Sequence, residues 1–178
     1  MDSTILAYIA GFLDGDGSIF FQLVRRKDYL YGYQIRCSIA FYQKSENCNI
    51  LEWLKSIFRC GYIRHRKTGM SDYTIVEPFE VAKILKLLKP YVRLKQRHID
   101  LSIEILEALE KITTLDGFLT VCQKVDRFKN LNYSKKRTIT SENVEKFLKQ
   151  NNYLTPVETA SFTKRASAKV EANTPTSF

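Results

Sequence analysis

Residues 8–19 read Tyr-Ile-Ala-Gly-Phe-Leu-Asp-Gly-Asp-Gly-Ser-Ile, an apolar stretch that ends in closely spaced aspartates and glycines. Together with the apolar residues before it, this stretch predicts a short helix over residues 4–14. Gly15 and Gly17 are expected to end the helix, because glycine readily adopts the left-handed conformation found at many helix C-termini. Asp16 is then expected at the negative end of the helix dipole.

The pattern changes directly after this turn. From Ser18 the apolar residues recur at every second position, which predicts two half-buried β-strands joined by residues 29–33. The core-facing residues of the two strands would be Ile19, Phe21 and Leu23, followed by Ile35, Cys37, Ile39 and Phe41.

The strand-strand-helix pattern then occurs a second time. The signals are a helix capped by Ser45 and ended by Gly61, two strands around Thr68-Gly69, and a helix between Pro78 and Pro90. Apolar spacings of three and four predict further helices after residue 97, the last of them behind Thr140 and Ser141. The predicted fold is therefore α/β (α+β), in the order αββαββα with additional C-terminal helices.

Length and charge limit the function. A chain of 178 residues predicts one domain, here residues 1–154, and residues 155–178 are expected to form a disordered tail because half of these 24 residues are Ser, Thr or Ala. Lys and Arg number 28 against 19 Asp and Glu, a net charge of +9. This excess favours a polyanionic partner, and nucleic acid is the first candidate.

Membrane and secretory signals are absent from the N-terminal pattern. The uncharged run Ser3–Leu13 is shorter than the roughly 20 residues of a membrane span, and the chain opens Met1-Asp2 without the basic residues of a leader.

The four cysteines contain no CxxC pair, which makes a structural zinc site improbable. Cys37 and Cys122 are expected to be buried, reduced thiols in an intracellular protein.

Two features of the first helix suggest chemistry. Ala7, Gly11 and Gly15 are spaced by four residues and form a small-residue stripe that fits close helix packing, either within one subunit or against a second copy. An ionised Asp16 at the helix C-terminus is unfavourable by roughly 0.3 to 1 kcal/mol unless a cation compensates it. Carboxylate and carbonyl oxygens suit Mg²⁺ or Ca²⁺, although aspartate is also an ordinary turn residue.

The strand faces opposite the core carry polar side chains that can read DNA bases. Arginine pairs with guanine and glutamine with adenine in the major groove, and carboxylates are nearly absent from this pattern. The alternative is a merely solvated polar face. The residues expected to contact DNA from the strands are Gln22, Val24, Arg26, Gln34, Arg36, Ser38, Arg64 and Arg66.

The stretch Ile9–Gly17 resembles the motif of the LAGLIDADG homing endonucleases. Three further segments, at 71–73, 90–96 and 131–135, are similar to the single-motif enzymes encoded in algal organelle introns. The resemblance spans roughly residues 5–150 and implies a saddle-shaped sheet that lies on DNA. It also implies double-strand cleavage of a long, roughly palindromic site and a chloroplast or mitochondrial setting.

A single motif implies a C2 homodimer, because the family brings two motif helices together. The interface would contain Ala7, Gly11, Phe12 and Gly15. By resemblance, Asp16 and the Gly15 carbonyl hold Mg²⁺, with Mn²⁺ able to substitute and Ca²⁺ binding without cleavage. Gln43 and Lys95 match the family's other active-site positions.

One position departs from the family pattern. Asn47 stands where close relatives carry a basic residue, and Lys44 is a candidate substitute. Phosphate contacts are expected from Lys44, Ser134, Lys135 and Thr138. Two rival functions use the same scaffold: an intron maturase that binds intron RNA, and a DNA-binding relative that does not cleave.

Overall fold

The computed structural model describes residues 1–131, 138–151 and 153. The elements follow the predicted order: α1 (Ser3–Asp16), β1 (Gly17–Arg25), β2 (Tyr33–Lys44), α2 (Asn49–Phe58), β3 (Tyr62–His65), β4 (Met70–Ile75), α3 (Pro78–Leu88), α4 (Gln96–Leu109), α5 (Leu115–Asp126) and α6 (Ser141–Gln150). Short 3₁₀ turns follow β2 and α5. The predicted mixed α/β fold is confirmed. Within the described ranges, no helix has the length and apolarity to cross a bilayer.

Several predictions concern residues outside this description. The proposed disordered tail at 155–178 and the proposed phosphate contacts Ser134 and Lys135 belong to this group.

The four strands form one antiparallel sheet in the order β1-β2-β4-β3. The β1–β2 ladder is uninterrupted from Gly17 opposite Phe41 to Arg25 opposite Tyr33. Because side chains alternate between the faces of a sheet, Phe20 and Val24 share a face with the polar positions, and this register keeps the core-facing apolar residues of both strands together on the other side. Helices pack on that side, and the polar positions are left on the opposite face.

The core lies between the sheet and the helices. It includes Ile9 and Leu13 of α1, Phe21 of β1 and Tyr73 of β4, none of which is more than 1% exposed. Burying a large apolar side chain contributes about 1.5 to 3 kcal/mol, so this interface dominates the stability of the subunit.

Two cysteines belong to this core, as predicted. Cys37 and Cys122 are buried free thiols, and burial raises the pKa of each to about 12. Both thiols therefore stay protonated at neutral pH.

The end of α1 differs from the prediction. The helix continues through Gly15 to Asp16, and Gly17 enters the strand directly with an extended φ of −106°. Left-handed glycines are therefore not what ends this helix. A Cβ on Gly17 would lie 2.6 Å from Leu13 Cδ1 and 2.7 Å from the Leu13 carbonyl oxygen, so glycine is required by close packing rather than by φ.

The boundaries of α2 also differ from the prediction. Ser45 begins a 3₁₀ turn, and its hydroxyl lies 2.8 Å from the Ser71 hydroxyl instead of capping the helix. At the other end, Arg59 adopts the left-handed conformation, with φ 57°, directly after Phe58. Gly61 follows in the turn into β3 and does not itself end the helix.

Gly61 and Gly69 offer a matched test of how tightly the edge of the sheet is packed. Both have φ +75°, but a Cβ on Gly61 would lie 2.5 Å from the Thr74 carbonyl oxygen, whereas nothing lies within 4 Å of a Cβ on Gly69. We expect Gly69→Ala to cost about 1 to 2 kcal/mol from backbone strain alone. Gly61→Ala should cost about 1 to 3 kcal/mol more, because backbone has to move.

The measurement is the free energy of unfolding in urea. Equal losses for the two variants would contradict the close approach between Gly61 and β4.

Candidate active site and DNA-binding face

Asp16 is the last residue of α1 and is exposed. Gly17, the next residue, already pairs with Phe41 in the sheet, so no loop separates the helix from the strand. The carboxylate therefore lies where the negative end of the helix dipole meets the end of the sheet. An accessible anion in this position would be stabilised by a cation, and the metal-binding role of Asp16 stays a prediction.

Gln43 lies at the same end of the sheet. It follows two residues after Phe41, the partner of Gly17, and is half-buried. Its side-chain carbonyl accepts a 2.9 Å hydrogen bond from the backbone N–H of Lys44. This bond orients the amide group, with the side-chain oxygen directed at the Lys44 N–H. The amide N–H groups of Gln43 therefore remain as donors for a water or a phosphate oxygen.

Lys95 is brought to this end of α1 from the opposite half of the chain. It is the N-cap residue of α4, it is half-buried, and its ammonium group donates a 2.6 Å hydrogen bond to the Asp14 carbonyl. Burial lowers the pKa of Lys95, while the charges of Asp14 and Asp16 act in the opposite direction. The structure thus holds Lys95 at the end of α1 that carries Asp16, and the strand register places Gln43 two residues beyond the partner of Gly17.

Asp14 is a site residue that received no role in the sequence analysis. Its carboxylate accepts hydrogen bonds from three consecutive backbone N–H groups, those of Arg93 (2.6 Å), Leu94 (3.0 Å) and Lys95 (3.0 Å). The available signal was a second acidic residue, beside Asp16, on the last turn of a mostly apolar helix. Asp14 therefore joins the end of α1 to the start of α4.

The polar face of β1 and β2 agrees in part with the predicted DNA contacts. Gln22 lies opposite Arg36, and Val24 lies opposite Gln34, all on the face away from the helices. Ser38, however, is only 2% exposed, so its hydroxyl is largely covered in the free subunit.

Arg26 lies beyond the end of β1 and forms two hydrogen bonds with a carboxylate of the following turn. The acceptor is Asp28, at 2.9 and 2.8 Å. Its guanidinium is therefore paired in the free subunit, and a DNA contact by Arg26 stays a prediction.

Asp72 corrects the expectation that carboxylates are nearly absent from this face. It lies opposite both Tyr42 and Arg64 in the sheet, and its side chain is 1% exposed. It accepts hydrogen bonds from Arg64 (3.1 and 3.2 Å), Arg66 (2.7 Å) and the Thr74 hydroxyl (3.1 Å). The two arginine side chains remain 57% and 41% exposed, so Asp72 anchors them while they still face solvent.

The same network determines how Asp72 titrates. Burial alone would raise the pKa of Asp72, but hydrogen bonds from Arg66, Arg64 and Thr74 outweigh it and hold the pKa below its ordinary value of 3.8. A carboxyl whose pKa is lowered by folding stabilises the protein above its unfolded pKa. That contribution is lost as the pH falls through the lowered value.

The remaining predicted contacts lie on the surface. Lys44 is exposed with its ammonium group 3.7 Å from Glu46, and Asn47 and Thr138 are exposed as well. The two histidines have structural contacts: His65 Nδ1 lies 2.8 Å from the Ser71 hydroxyl, and His98 packs beside Phe128.

The small-residue stripe of α1 is exposed. Ala7, Gly11 and Gly15 face solvent, and a Cβ added to either glycine would meet nothing within 4 Å. The alternative that the stripe packs within one subunit is therefore wrong. Phe12 is half-buried with its ring 5.5 Å from Phe41, so its predicted place in a dimer interface stays a prediction.

Comparison with known proteins identifies clear relatives. A family model described as LAGLIDADG endonuclease matches residues 9–103, a range that contains Asp16, Gln43 and Lys95. The chain is 35% identical over 149 residues to the DNA endonuclease I-CvuI of Chlorella vulgaris, which covers 84% of this chain and 92% of the relative. It is 37% identical over 144 residues to the DNA endonuclease I-CreI of Chlamydomonas reinhardtii, and this match covers 80% of this chain and 88% of the relative.

The structural comparison agrees with the sequence comparison. The crystal structure of I-CvuI in complex with its target, in the presence of calcium, has a TM-score of 0.80 and 34% identity, and it covers 85% of this chain and 97% of that chain. In another I-CvuI complex, with the I-CreI target and magnesium, the DNA is not cleaved.

Asp72→Asn tests the anchoring of the arginines. Removing the buried charge should cost about 1 to 3 kcal/mol of unfolding free energy at pH 7, because hydrogen bonds to a charged group are lost. The difference from wild type should shrink as the pH falls below about 4, where the Asp72 carboxyl of the unfolded chain takes up a proton, and should be lost once the pH passes through the lowered pKa of the folded protein. Urea unfolding across this pH range provides the measurement.

Glu107→Gln is the matched control, because Glu107 forms a 2.9 Å ion pair with Lys86 on the surface, where both side chains are about half exposed. Its effect should be smaller at neutral pH. A loss for Asp72→Asn that does not change with pH would contradict the role of its charge.

Proposed function

Since this chain belongs to the LAGLIDADG endonuclease family, we propose that it is a sequence-specific homing endonuclease that cuts both strands of a long, roughly palindromic DNA site as a homodimer. One observation carries the proposal. An exposed Asp16 lies at the end of α1 to which Lys95 is bonded, Gln43 lies at the same end of the sheet, and the polar face of that sheet bears arginine and glutamine. Such an arrangement serves phosphodiester hydrolysis on a bound duplex.

The donor set at this end of α1 fits a hard divalent cation. The Asp16 carboxylate and the Gly15 carbonyl are oxygen ligands at exposed residues, which is the type that Mg²⁺ prefers. Among the described residues, no three His, Cys, Asp or Glu side chains come together. We infer that Asp16 and Gly15 supply part of a Mg²⁺ site whose other ligands come from DNA, water or a second subunit.

The bound ion would lower the pKa of a water and offset charge on the phosphate. The protein residues have complementary tasks in the same hydrolysis. Lys95 places a positive charge where the phosphate oxygens become more negative as water attacks phosphorus and the bond to the leaving oxygen breaks. Gln43 can orient the attacking water through its amide N–H groups. These tasks require neither His65 nor His98.

The homodimer follows from the exposed stripe on α1. Ala7, Gly11 and Gly15 leave room for a second helix backbone to approach, and their spacing by four residues keeps them on one side of the helix. A C2 axis along this contact would bring two copies of Asp16 together, one for each DNA strand. A single motif helix is then sufficient for double-strand cleavage.

DNA recognition would come from the polar face of the sheet. Gln22, Gln34, Arg36, Arg64 and Arg66 carry the amide and guanidinium groups that bind base edges, each good bidentate contact discriminating by about 1 to 3 kcal/mol. Phosphate contacts are proposed for Lys44, Thr138, Ser134 and Lys135. The net charge of +9 supplies the long-range attraction to the duplex.

Neither rival function is favoured. The two curated relatives are both named DNA endonucleases, and both come from green algae. An exposed acid facing phosphates would weaken a protein that only binds nucleic acid, unless a cation is also held. We therefore also propose that this chain is encoded in an organelle intron and takes part in intron mobility.

Asp16→Asn tests the metal and the chemistry. The amide keeps the size of the side chain but not its charge, so cleavage of DNA in Mg²⁺ should fall by at least about 10²-fold. Binding to the same DNA should be largely preserved. The substrate is a site selected from a randomised duplex library by wild-type cleavage, and binding is measured in Ca²⁺.

The matched control is Asp100→Asn, which removes an exposed carboxylate that pairs with Lys89, the residue directly after α3. It should cleave at the wild-type rate. Near wild-type cleavage by Asp16→Asn would remove Asp16 from the mechanism.

Gly11→Leu tests the dimer. Because a Cβ at Gly11 meets nothing within 4 Å, the larger side chain should leave the subunit folded while it blocks the approach of a second helix. Sedimentation should show monomers where the wild type sediments as dimers. Gln123→Leu, an equally exposed change on α5, should stay dimeric, and an intact Gly11→Leu dimer would reject this interface.

A further inference from the structure

We propose that Asp14 is a positioning residue for cleavage: its carboxylate holds the start of α4 so that the Lys95 ammonium group stays beside Asp16. The inference rests on the proposed function, because Lys95 acts on the scissile phosphate there. Asp14 itself would touch neither DNA nor metal.

The first observation is the number of bonds that end on one side chain. The Asp14 carboxylate accepts from the backbone N–H groups of Arg93, Leu94 and Lys95 at 2.6 to 3.0 Å, across 79 to 81 residues of sequence. Hydrogen bonds to a charged acceptor are shorter and stronger than those between neutral groups. The backbone position of Lys95 is thus defined relative to the end of α1.

The second observation is a bond in the opposite direction. The Lys95 ammonium group donates to the Asp14 backbone carbonyl at 2.6 Å, so both ends of Lys95 bind the same residue. A lysine side chain otherwise has many rotamers, and ordering them has an entropic cost. Here the backbone N–H and the ammonium group are both constrained by Asp14, which restricts where the charge can lie.

The third observation is that the residues directly before Lys95 are only weakly packed against the rest of the protein. Val92 is buried, but Leu94 is 77% exposed, so packing does not hold the segment directly before Lys95. Asp14 therefore replaces packing with hydrogen bonds at the point where the position of the ammonium group is decided. A misplacement of about 1 Å in a catalytic group can lower a rate by about 10²-fold.

A merely structural clamp would stabilise the protein without acting through Lys95. The two cases differ in a double-mutant cycle, because residues that act through one another have non-additive effects. The four proteins are wild type, Asp14→Asn, Lys95→Met and the double variant. Single-turnover cleavage rate and half-saturating enzyme concentration are measured separately in Mg²⁺, and DNA affinity is measured in Ca²⁺.

The expected result has three parts. Lys95→Met lowers the rate by about 10²- to 10³-fold, as for loss of one group that stabilises the transition state. Asp14→Asn lowers it by at least about 10-fold with less than about threefold change in half-saturation. In the Lys95→Met background, Asp14→Asn changes the rate by less than about threefold.

Equal rate losses from Asp14→Asn in both backgrounds would overturn the proposal, as would a wild-type rate for Asp14→Asn. If Asp14→Asn does not fold, the same cycle with Asp14→Ser keeps one acceptor and is decided by the same criterion. Glu104→Gln is the matched control, since it removes a carboxylate of α4 that binds Lys124 and Arg127 away from the helix start. It should cleave at the wild-type rate.

The cycle separates this inference from the proposed function. The proposed function is contradicted if Asp16→Asn cleaves at near the wild-type rate, or if the wild type cleaves no duplex of the randomised library in Mg²⁺. If cleavage requires Asp16 but the effects of Asp14→Asn and Lys95→Met on the rate are additive, only the proposed role of Asp14 is contradicted.

Discussion

The direct passage from helix to strand at Asp16 and Gly17 is the constraint on which the rest of the structure depends. Gly17 ends α1, packs against Leu13 and pairs with Phe41, so the helix and the sheet share one junction. No loop lies between the two elements that could change conformation. The acidic residue is therefore held where the helix dipole, the end of β2 and the start of α4 meet, and each proposed catalytic group is defined relative to that point.

The sheet separates the core, which provides stability, from the face that we propose for DNA recognition. Alternation places the core-facing side chains of β1 and β2 under the helices and the polar side chains on the other face, so changes among the polar residues need not disturb the core. Asp72 shows how that polar face is ordered. It is buried among the strands, and its hydrogen bonds hold Arg64 and Arg66 in defined positions while their side chains remain exposed. Ordered arginines lose less entropy when they bind bases than freely rotating ones.

One subunit contains half of the proposed active centre. Its exposed carboxylate has no group of further acidic, thiol or imidazole ligands among the described residues, and the small-residue stripe beside it is open. Both features are explained if a second α1 packs on the stripe and brings a second Asp16. Symmetry then couples assembly to chemistry, because the monomer lacks the second acid needed to cut the second strand.

The sequence by itself determined the order of the elements and the motif: alternation identified the core side of β1 and β2, and the resemblance of residues 9–17 to the family motif singled out Asp16 as the proposed metal-binding residue. Local rules failed at Gly15, Ser45 and Gly61: α1 continues through Gly15, Ser45 bonds to the Ser71 hydroxyl instead of capping α2, and the left-handed residue that ends α2 is Arg59. Only the tertiary structure decided which groups the carboxylates of Asp14 and Asp72 bind. Asp14 binds groups 79 to 81 residues away, and Asp72 binds arginines across a turn. Periodicity reports which side of an element is buried, but hydrogen bonds between distant backbone groups depend on how the elements meet in space.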